Sequence, residues 1–252
     1  MSFYVAIITL ICTGICTEKD SMKLKGRLAI ISNKIPRCNI VCDIGTDHAY
    51  IPIYLLKKGI CRKAIVTDVN QGPIAIAQRN IKEYQLEKFI VTRIGDGLDP
   101  LKDNEADIII IAGMGGKLIE RILSDGISKA KSAELLILQP MNSEEIVATW
   151  LYENRFEIVD EELVKEGTKI YNIKAAKWTD KQNEFNEAEL YISNKLASNK
   201  NTLLYEYISK KVNMLNNKIS GIRMSKSIDE IELRKYISLR NRMLEILYRG
   251  GK

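Results

Sequence analysis

The chain has 252 residues, of which 46% are hydrophobic and 28% are charged, and its formal net charge is +6. This composition excludes a disordered or fibrous chain and predicts a globular protein with one large core and length for a smaller appendage. The mildly basic charge is compatible with a polyanionic partner but does not require one. One histidine and five cysteines without a C-x-x-C spacing argue against a metal site.

Residues 1–21 differ in character from the sequence that follows. They include an apolar stretch that is too short to span a bilayer and lacks the preceding basic residues of a secretory signal. From Met22 the sequence predicts an amphipathic helix with Leu24, Leu28 and Ile31 on one face. We therefore expect Met22 to be the natural start and residues 1–21 to be a mis-assigned extension. If they belong to the native protein, a membrane anchor becomes the competing interpretation.

Strand-like and helix-like segments alternate through the middle of the chain. The predicted strands are Ile40–Ile44, Lys63–Val69, Phe89–Ile94, Asp107–Ala112, Leu135–Leu138, Phe156–Leu163 and Ile170–Ala175. The predicted helices are Tyr50–Lys58, Pro73–Tyr84, Gly116–Leu123 and Ser143–Glu153. This order predicts an α/β protein with a doubly wound parallel sheet. Only Val164–Lys169 separates the last two strands, so we expect them to form an antiparallel hairpin.

The composition changes after Trp178, where Lys, Asn and Glu become frequent and proline is absent. Apolar residues recur there at helical spacing: Leu204, Ile208, Val212, Leu215, Ile219 and Ile222. A second helix is expected after a capping box that runs from Ser227 to Glu230. The two helices predict a C-terminal helical hairpin domain of coiled-coil-like character over residues 179–252.

Basic side chains are frequent on both predicted helices of this tail: Lys210, Lys211, Lys218, Arg223, Lys226, Arg234, Lys235, Arg240 and Arg242. A row of charged residues is usually the solvated face of a helix. The same row also suits an arm that binds RNA. Both interpretations remain open, and the second places the RNA contacts at Lys210, Lys211, Lys218 and Arg223.

The turn after the first predicted strand carries an unusual set of polar residues. Asp43 ends the strand, Gly45 forms the turn, and Asp47 and the single histidine, His48, precede a helix that starts near Tyr50. A dinucleotide-binding turn needs further glycines so that a pyrophosphate can approach backbone amides. Carboxylates in their place repel phosphate and favour a cation such as the sulfonium of S-adenosylmethionine (SAM). An ordinary turn with solvated polar residues is the alternative.

Each of the next three strands also ends in an acidic residue or a glycine cluster. Asp68 ends the second strand, where nucleoside cofactors need an acceptor for the ribose hydroxyls. Asp96 and Gly97 follow the third strand, where a carboxylate can accept from an adenine amino group beside a glycine that lets the base approach. The fourth strand runs into Ala-Gly-Met-Gly-Gly at residues 112–116, which indicates backbone close to a ligand. Single aspartates also form ordinary turns, but four such strand ends in succession favour a ligand site.

Several motifs together resemble the bacterial TrmK family of SAM-dependent tRNA (adenine-N1)-methyltransferases, which act on adenine 22 in the D-loop region. These motifs are KLKGRL, DIGTDHAYIPIYL, TDVNQGP, RIGDGL, IIIAGMGG, ILQPMNS and GTKIYNI. The resemblance extends from Lys23 to Ala175 and covers the tail only in general character. It implies a Rossmann-like class I methyltransferase domain over residues 22–178, with a mostly parallel sheet and a terminal antiparallel hairpin. It also implies a cytoplasmic monomer that binds tRNA, without a metal or a membrane.

The resemblance further implies which residues form the site. The residues expected to contact SAM are Asp43, Gly45, Thr46, Asp68, Val69, Asp96, Gly97, Gly113 and Gly115. The residues expected to face the methyl group and the target base are Asp47, His48, Tyr50 and Met114. Because adenine N1 has an available lone pair, transfer needs no covalent enzyme intermediate and catalysis depends on alignment once the base leaves its stack.

The individual contacts to the base are less closely defined. Asp47 or a backbone carbonyl of residues 113–114 is expected to select adenine through its amino group. Tyr50 or Tyr54 is expected to stack on the base. His48 either moves a proton or is a packed structural histidine.

Two other classes of function remain open on the residues alone. A nicotinamide-dependent Rossmann oxidoreductase is disfavoured because acidic residues replace the glycines that would hold its phosphates. A non-catalytic RNA-binding module, in which the tail dominates, would bind RNA without methyl transfer.

Overall fold

The computed structural model describes residues 22–182, 184–199, 201–225 and 227–249. The expected extension at residues 1–21 and the predicted arm residue Lys226 lie outside the described residues. Within the described ranges, no helix combines the length and the apolar character that a membrane span requires.

The central element is a seven-stranded sheet. Its strands are β1 (Ile40–Ile44), β2 (Lys63–Asp68), β3 (Ile90–Ile94), β4 (Ile108–Met114), β5 (Leu135–Pro140), β6 (Phe156–Glu166) and β7 (Lys169–Trp178). Their order in the sheet is β3-β2-β1-β4-β5-β7-β6. The first five strands pair in parallel, and β7 is antiparallel to both β5 and β6. The predicted mostly parallel sheet with a terminal antiparallel hairpin is therefore confirmed.

Helices pack on both faces of the sheet. They are α1 (Gly26–Asn33), α2 (Tyr50–Lys57), α3 (Gln71–Glu83), α4 (Gly116–Asp125), α5 (Ile127–Ser132) and α6 (Glu144–Glu153). Successive residues of a strand point to opposite faces. Along β4, Ile108 and Ile110 accordingly join the core beneath α1, α2 and α3, whereas Ile109 and Ile111 join the core beneath α4 and α6. Both faces are buried, as an apolar parallel strand requires.

The tail forms three further helices, α7 (Asn194–Ser198), α8 (Leu204–Met224) and α9 (Glu230–Arg249). The predicted helical tail is confirmed, while its coiled-coil-like packing stays a prediction. Its core contains Ile208, Leu215, Leu239 and Met243, and it also contains Leu163 of β6. The tail therefore packs directly on the terminal hairpin of the sheet.

The ends of several elements differ from the predictions for local reasons. The first helix begins at Gly26 rather than Met22, because Gly26 has a φ of +55° and the Glu166 carboxylate accepts from the Arg27 amide at 2.7 Å. Helix α9 is capped by Asp229, which accepts from the amides of residues 231 and 232, and not by the predicted Ser227. The hairpin is longer than predicted, since its strands extend to a two-residue turn.

Candidate active site

The strand order reverses between β1 and β4, which are adjacent in the sheet although β2 and β3 separate them in the chain. Such a switch point leaves a crevice at the carboxyl ends of the two strands. A cavity of about 320 Å³, here called the switch-point cavity, lies there. It is lined by Arg27, Leu28, Asp43, Gly45, Thr46, Asp47, His48, Tyr50, Ile51, Ala112, Gly113 and Met114. Eight of the thirteen predicted cofactor and reaction residues thus meet in one place.

Asp43 is the buried acid of this cavity. It lies on β1, one residue before the strand ends, and only 6% of it is exposed. Burial raises the pKa of its carboxyl to about 7, a shift that the hydrogen bond from Thr46 opposes and the nearby Asp47 carboxylate reinforces. A carboxylate in this environment is stabilised by a cation that enters the cavity.

The segment after β1 turns sharply to present its side chains to the cavity. Ala49 has a φ of +56°, a left-handed conformation that is strained for any residue except glycine, and its amide donates to Thr46 Oγ1 at 3.1 Å. His48 and Tyr50 are exposed and their rings stack at a centroid distance of 5.0 Å. The expectation that His48 is a packed core residue is therefore wrong. Tyr54, the alternative stacking residue, lies outside the lining.

Two glycines bring backbone close to the cavity. Gly45 has a φ of +70°, and a Cβ atom there would clash with Met114 Cε. Gly113 has a φ of +79° and faces open space within the described structure. Its amide donates to the buried Gln139 side chain at 3.2 Å. Both positions favour glycine because their backbone is left-handed, and Gly45 is also closely packed against Met114.

Arg27 is a lining residue that the sequence analysis assigned only to a helix. Its guanidinium donates to Met141 Sδ at 3.7 Å, lies 5.3 Å from the Tyr171 ring centroid and pairs with Glu166 at 3.6 Å. The KLKGRL motif contains Arg27, but its partners lie more than a hundred residues away in the chain. It is the cationic residue among otherwise acidic, aromatic and apolar lining side chains.

Asp68 and Val69 lie farther along the same sheet edge. Asp68 is buried and its Oδ1 accepts from the Asn70 amide at 2.7 Å. Val69 is 59% exposed, and Ile94, which is in register with Asp68 on β3, is 56% exposed. Two bare apolar side chains beside a carboxylate form a surface that suits the flat base and the ribose of a nucleoside. Ile94 is not among the site residues predicted from the sequence.

Asp96 has a partner that the sequence did not reveal. Its carboxylate receives two hydrogen bonds from Arg121, at 2.8 and 3.0 Å, and this guanidinium holds the pKa of Asp96 below its usual range. The neighbouring Gly97 packs against Ile122. Gly115 precedes α4 and lies against Asn142. None of these three predicted cofactor residues lines the switch-point cavity.

The four predicted RNA-binding residues all lie on α8: Lys210, Lys211, Lys218 and Arg223. Lys211 forms a largely buried ion pair with Glu144. Burial opposes ionisation of Glu144, but the charge and hydrogen bond of Lys211, together with a backbone hydrogen bond and the Tyr207 hydroxyl, lower the pKa of this carboxyl. Lys210 pairs with Glu206 at 3.0 Å, whereas Lys218 and Arg223 are exposed. Lys211 therefore stabilises the junction between α8 and the start of α6.

Metal-binding side chains do not converge at this site. In the part of the chain that the structure describes, no three His, Cys, Asp or Glu side chains are grouped so that they could hold an ion.

Comparisons with known proteins identify the relatives of this chain. A methyltransferase domain family matches residues 24–173. The tRNA (adenine(22)-N(1))-methyltransferase of Bacillus subtilis is 33% identical over 236 residues, which cover 86% of this chain and 98% of that protein. The crystal structure of the B. subtilis m1A22 tRNA methyltransferase TrmK is 29% identical, with a TM-score of 0.81 over 89% of this chain and 99% of that one. Streptococcus pneumoniae Sp1610 in complex with S-adenosyl-L-methionine is 29% identical, with a TM-score of 0.77 over 88% and 98%.

Proposed function

Because this chain belongs to the tRNA (adenine(22)-N(1))-methyltransferase family, we propose that the switch-point cavity is where methyl transfer takes place. The protein is a SAM-dependent enzyme that methylates N1 of adenine in tRNA. The observation that carries the assignment of the site is the buried Asp43 carboxylate between the left-handed Gly45 and Gly113.

The residues present fit the cofactor. Asp43 offers a buried negative charge to the positive end of SAM. Gly113 leaves open the space that a side chain would fill. Asp68, with Val69 and Ile94, offers an acceptor and two apolar contacts to the nucleoside end. Asp96, Gly97 and Gly115 remain predicted SAM contacts, and they lie outside the lining of the switch-point cavity.

Catalysis by this chain rests on alignment. When bound, SAM supplies an electrophilic methyl group that adenine N1 takes up directly, without a covalent enzyme intermediate. Tyr50 and His48 present stacked rings on which a base removed from its helix can lie. Asp47 or a backbone carbonyl of residues 113–114 accepts from the adenine amino group in this proposal. Met114 and the buried segment around Thr46 exclude water and fix the geometry.

The wider setting follows from the same proposal. We infer a cytoplasmic monomer whose α8 presents Lys210, Lys218 and Arg223 to tRNA, while Lys211 fixes α8 to the catalytic domain. The acidic lining disfavours a nicotinamide dinucleotide, since its pyrophosphate would meet Asp43 and Asp47.

The decisive experiment is incubation of the protein with labelled SAM and an unmodified tRNA transcript, followed by mapping of reverse-transcription stops. We expect label in the RNA and a single new stop at adenine 22, because a methyl group at N1 blocks Watson–Crick pairing. Absence of transfer together with measurable RNA binding would instead support the non-catalytic module.

A further inference from the structure

A second cavity of about 470 Å³ lies between the catalytic domain and α8. We call it the inter-domain cavity. Its catalytic wall contains Met141 and Asn142 after β5 and Tyr171 of β7, and its tail wall contains Met214 and Lys218 of α8. Its size falls within the range of small-ligand sites. No residue of the second cavity also lines the first.

The two cavities are nevertheless neighbours along the same edge of the sheet. Met141, which lines the second, donates its amide to the carbonyl of Met114, which lines the first, at 2.8 Å. Arg27 of the first cavity contacts Met141 Sδ and lies over Tyr171, both in the second. The linings of the two cavities are therefore in direct contact, and we call this contact region the partition.

The lining of the inter-domain cavity combines the groups that a nucleotide needs. Met141, Tyr171 and Met214 offer apolar and aromatic surface to a base. Lys218 is exposed and lies over the Tyr236 ring at 5.0 Å, so its ammonium remains available to a phosphate. The charge of Lys211 in the same wall is neutralised by Glu144 and is not available.

Asn172 adds an unused polar group to this wall. The residue is 3% exposed, and its Nδ2 donates to Glu161 at 2.5 Å. Its Oδ1 is buried without a hydrogen-bond partner in the described structure. An unpaired buried acceptor is costly, and a hydroxyl or amino donor of a ligand would satisfy it.

We propose that the inter-domain cavity binds the nucleotide that adjoins the target adenosine in the tRNA chain. This inference rests on the proposed function. A base that enters the switch-point cavity brings its covalent neighbour to the partition, and the second cavity takes that neighbour's base while Lys218 meets its phosphate. The tail thereby takes part in the choice of the target adenine, in addition to any general attraction for RNA.

The test fills the cavity with Met214→Trp and uses Asn217→Trp, at an exposed position of the same helix, as the matched control. We expect kcat/KM for tRNA to fall about tenfold in the first variant, as expected for loss of one stacked base. SAM affinity, measured by calorimetry, should stay at the wild-type value. The control should match wild type in both measurements.

Two tRNA transcripts with an abasic residue immediately 5′ or 3′ of the target adenosine identify the occupant. If the neighbour's base fills the cavity, one abasic transcript reduces wild-type kcat/KM about tenfold and Met214→Trp reduces it no further. The inference is overturned if Met214→Trp lowers kcat/KM further on both abasic transcripts, so that the two losses multiply. It is also overturned if Met214→Trp and Asn217→Trp are equally active on the intact transcript. Failure of the wild type to methylate the intact transcript is a distinct result, which refutes the proposed function itself.

Discussion

At the scale of single residues, the protonation of Asp43 makes the charge of the switch-point cavity depend on pH. Burial raises the pKa of this carboxyl to about 7, so the ligand-free protein holds it about half protonated at neutral pH. A cation in the switch-point cavity favours the ionised form and lowers that pKa. We expect SAM affinity to fall by up to about tenfold per pH unit below about pH 7, with proton release on binding. Calorimetry in buffers of different ionisation enthalpy measures both.

Asp43→Asn is the companion variant. It should bind SAM more weakly at about pH 8 and lose the pH dependence, since no carboxyl titrates. It should still fold. The wild-type carboxyl has an ordinary pKa of 3.8 in the unfolded chain and a raised pKa of about 7 in the folded protein. Between these two values the folded protein binds more protons than the unfolded chain. The contribution of this carboxyl to stability is therefore lost as the pH rises through that window. A wild-type affinity that is constant across this range would remove Asp43 from the cation site.

Gly45 and Gly59 offer a comparison between a backbone effect and a packing effect. Both have left-handed φ angles, +70° and +64°, so alanine at either position should reduce the free energy of unfolding by about 1 kcal/mol. A Cβ at Gly45 also meets Met114 Cε, whereas a Cβ at Gly59 meets nothing within 4 Å in the described structure. Gly45→Ala should therefore also weaken SAM binding about tenfold, as measured by calorimetry. Equal affinities of the two variants would show that Met114 moves aside freely.

The sequence identified site residues where the chemistry is local. Asp43, Gly45 and Asp47 lie within five positions. Two carboxylates so close to the turn disfavour a phosphate site, and this can be read from the sequence alone. Arg27 and the partner of Asp96 could not be found in this way. Arg27 reaches the cavity through contacts across the whole domain, and Arg121 pairs with Asp96 from the adjacent helix. The spacing of residues within a motif does not predict contacts of this kind, which form between distant parts of the chain.

At the scale of elements, the hairpin and the tail are joined by a buried polar cluster. Lys174 of β7 and Glu161 of β6 form an ion pair with both side chains fully buried. The Glu161 carboxylate also accepts from Asn172 and from the Ser193 amide in the segment that enters α7. The hairpin and the tail therefore meet at one buried cluster of charged and polar groups.

Removing one charge of this cluster should destabilise the junction strongly. Glu161→Gln leaves the Lys174 ammonium buried without a counter-charge, and we expect a loss of roughly 3–5 kcal/mol in the free energy of unfolding. The control Asp180→Asn removes one partner of the exposed Arg155–Asp180 pair and should change stability by less than about 1 kcal/mol. Urea denaturation measures both variants, and equal losses would contradict the importance of burial.

The sequence predicted the type of each element more closely than it predicted the element boundaries. The periodic apolar residues of α8 and the β-branched runs of the sheet fixed the type of each element. The starts of α1 and α9 depend on caps instead. Asp229 displaces Ser227 as the cap of α9, and the Glu166 carboxylate that caps α1 comes from a distant part of the chain. The second of these contacts exists only after folding.

At the scale of the whole molecule, charge is divided between the two domains. The switch-point cavity contains the Asp43 and Asp47 carboxylates together with Arg27, while Lys218 and Arg223 are exposed on α8. A polyanion is thus repelled by the loop after β1 and attracted by the tail. We expect this division to orient tRNA so that a displaced base, and not the backbone, enters the switch-point cavity.

The salt dependence of tRNA binding tests that division. Among the predicted RNA-binding residues, Lys218 and Arg223 are exposed and are therefore the clearest to test. Lys211 is instead paired with Glu144. Lys218→Ala and Arg223→Ala should each reduce tRNA affinity and lower the slope of log affinity against log salt by about one. Lys177→Ala, at an exposed position near the end of β7, should change neither.

Lys211→Ala should behave differently from its neighbours on α8. It leaves the Glu144 carboxylate largely buried without its ammonium partner, so the main effect should be a loss of stability in urea denaturation, by roughly 3 kcal/mol. At salt concentrations where the variant is folded, the salt slope for tRNA should change less than in Lys218→Ala. A slope reduced as much as in Lys218→Ala, with stability intact, would place Lys211 on the RNA-binding surface. The pair with Glu144 would then be a contact that tRNA replaces.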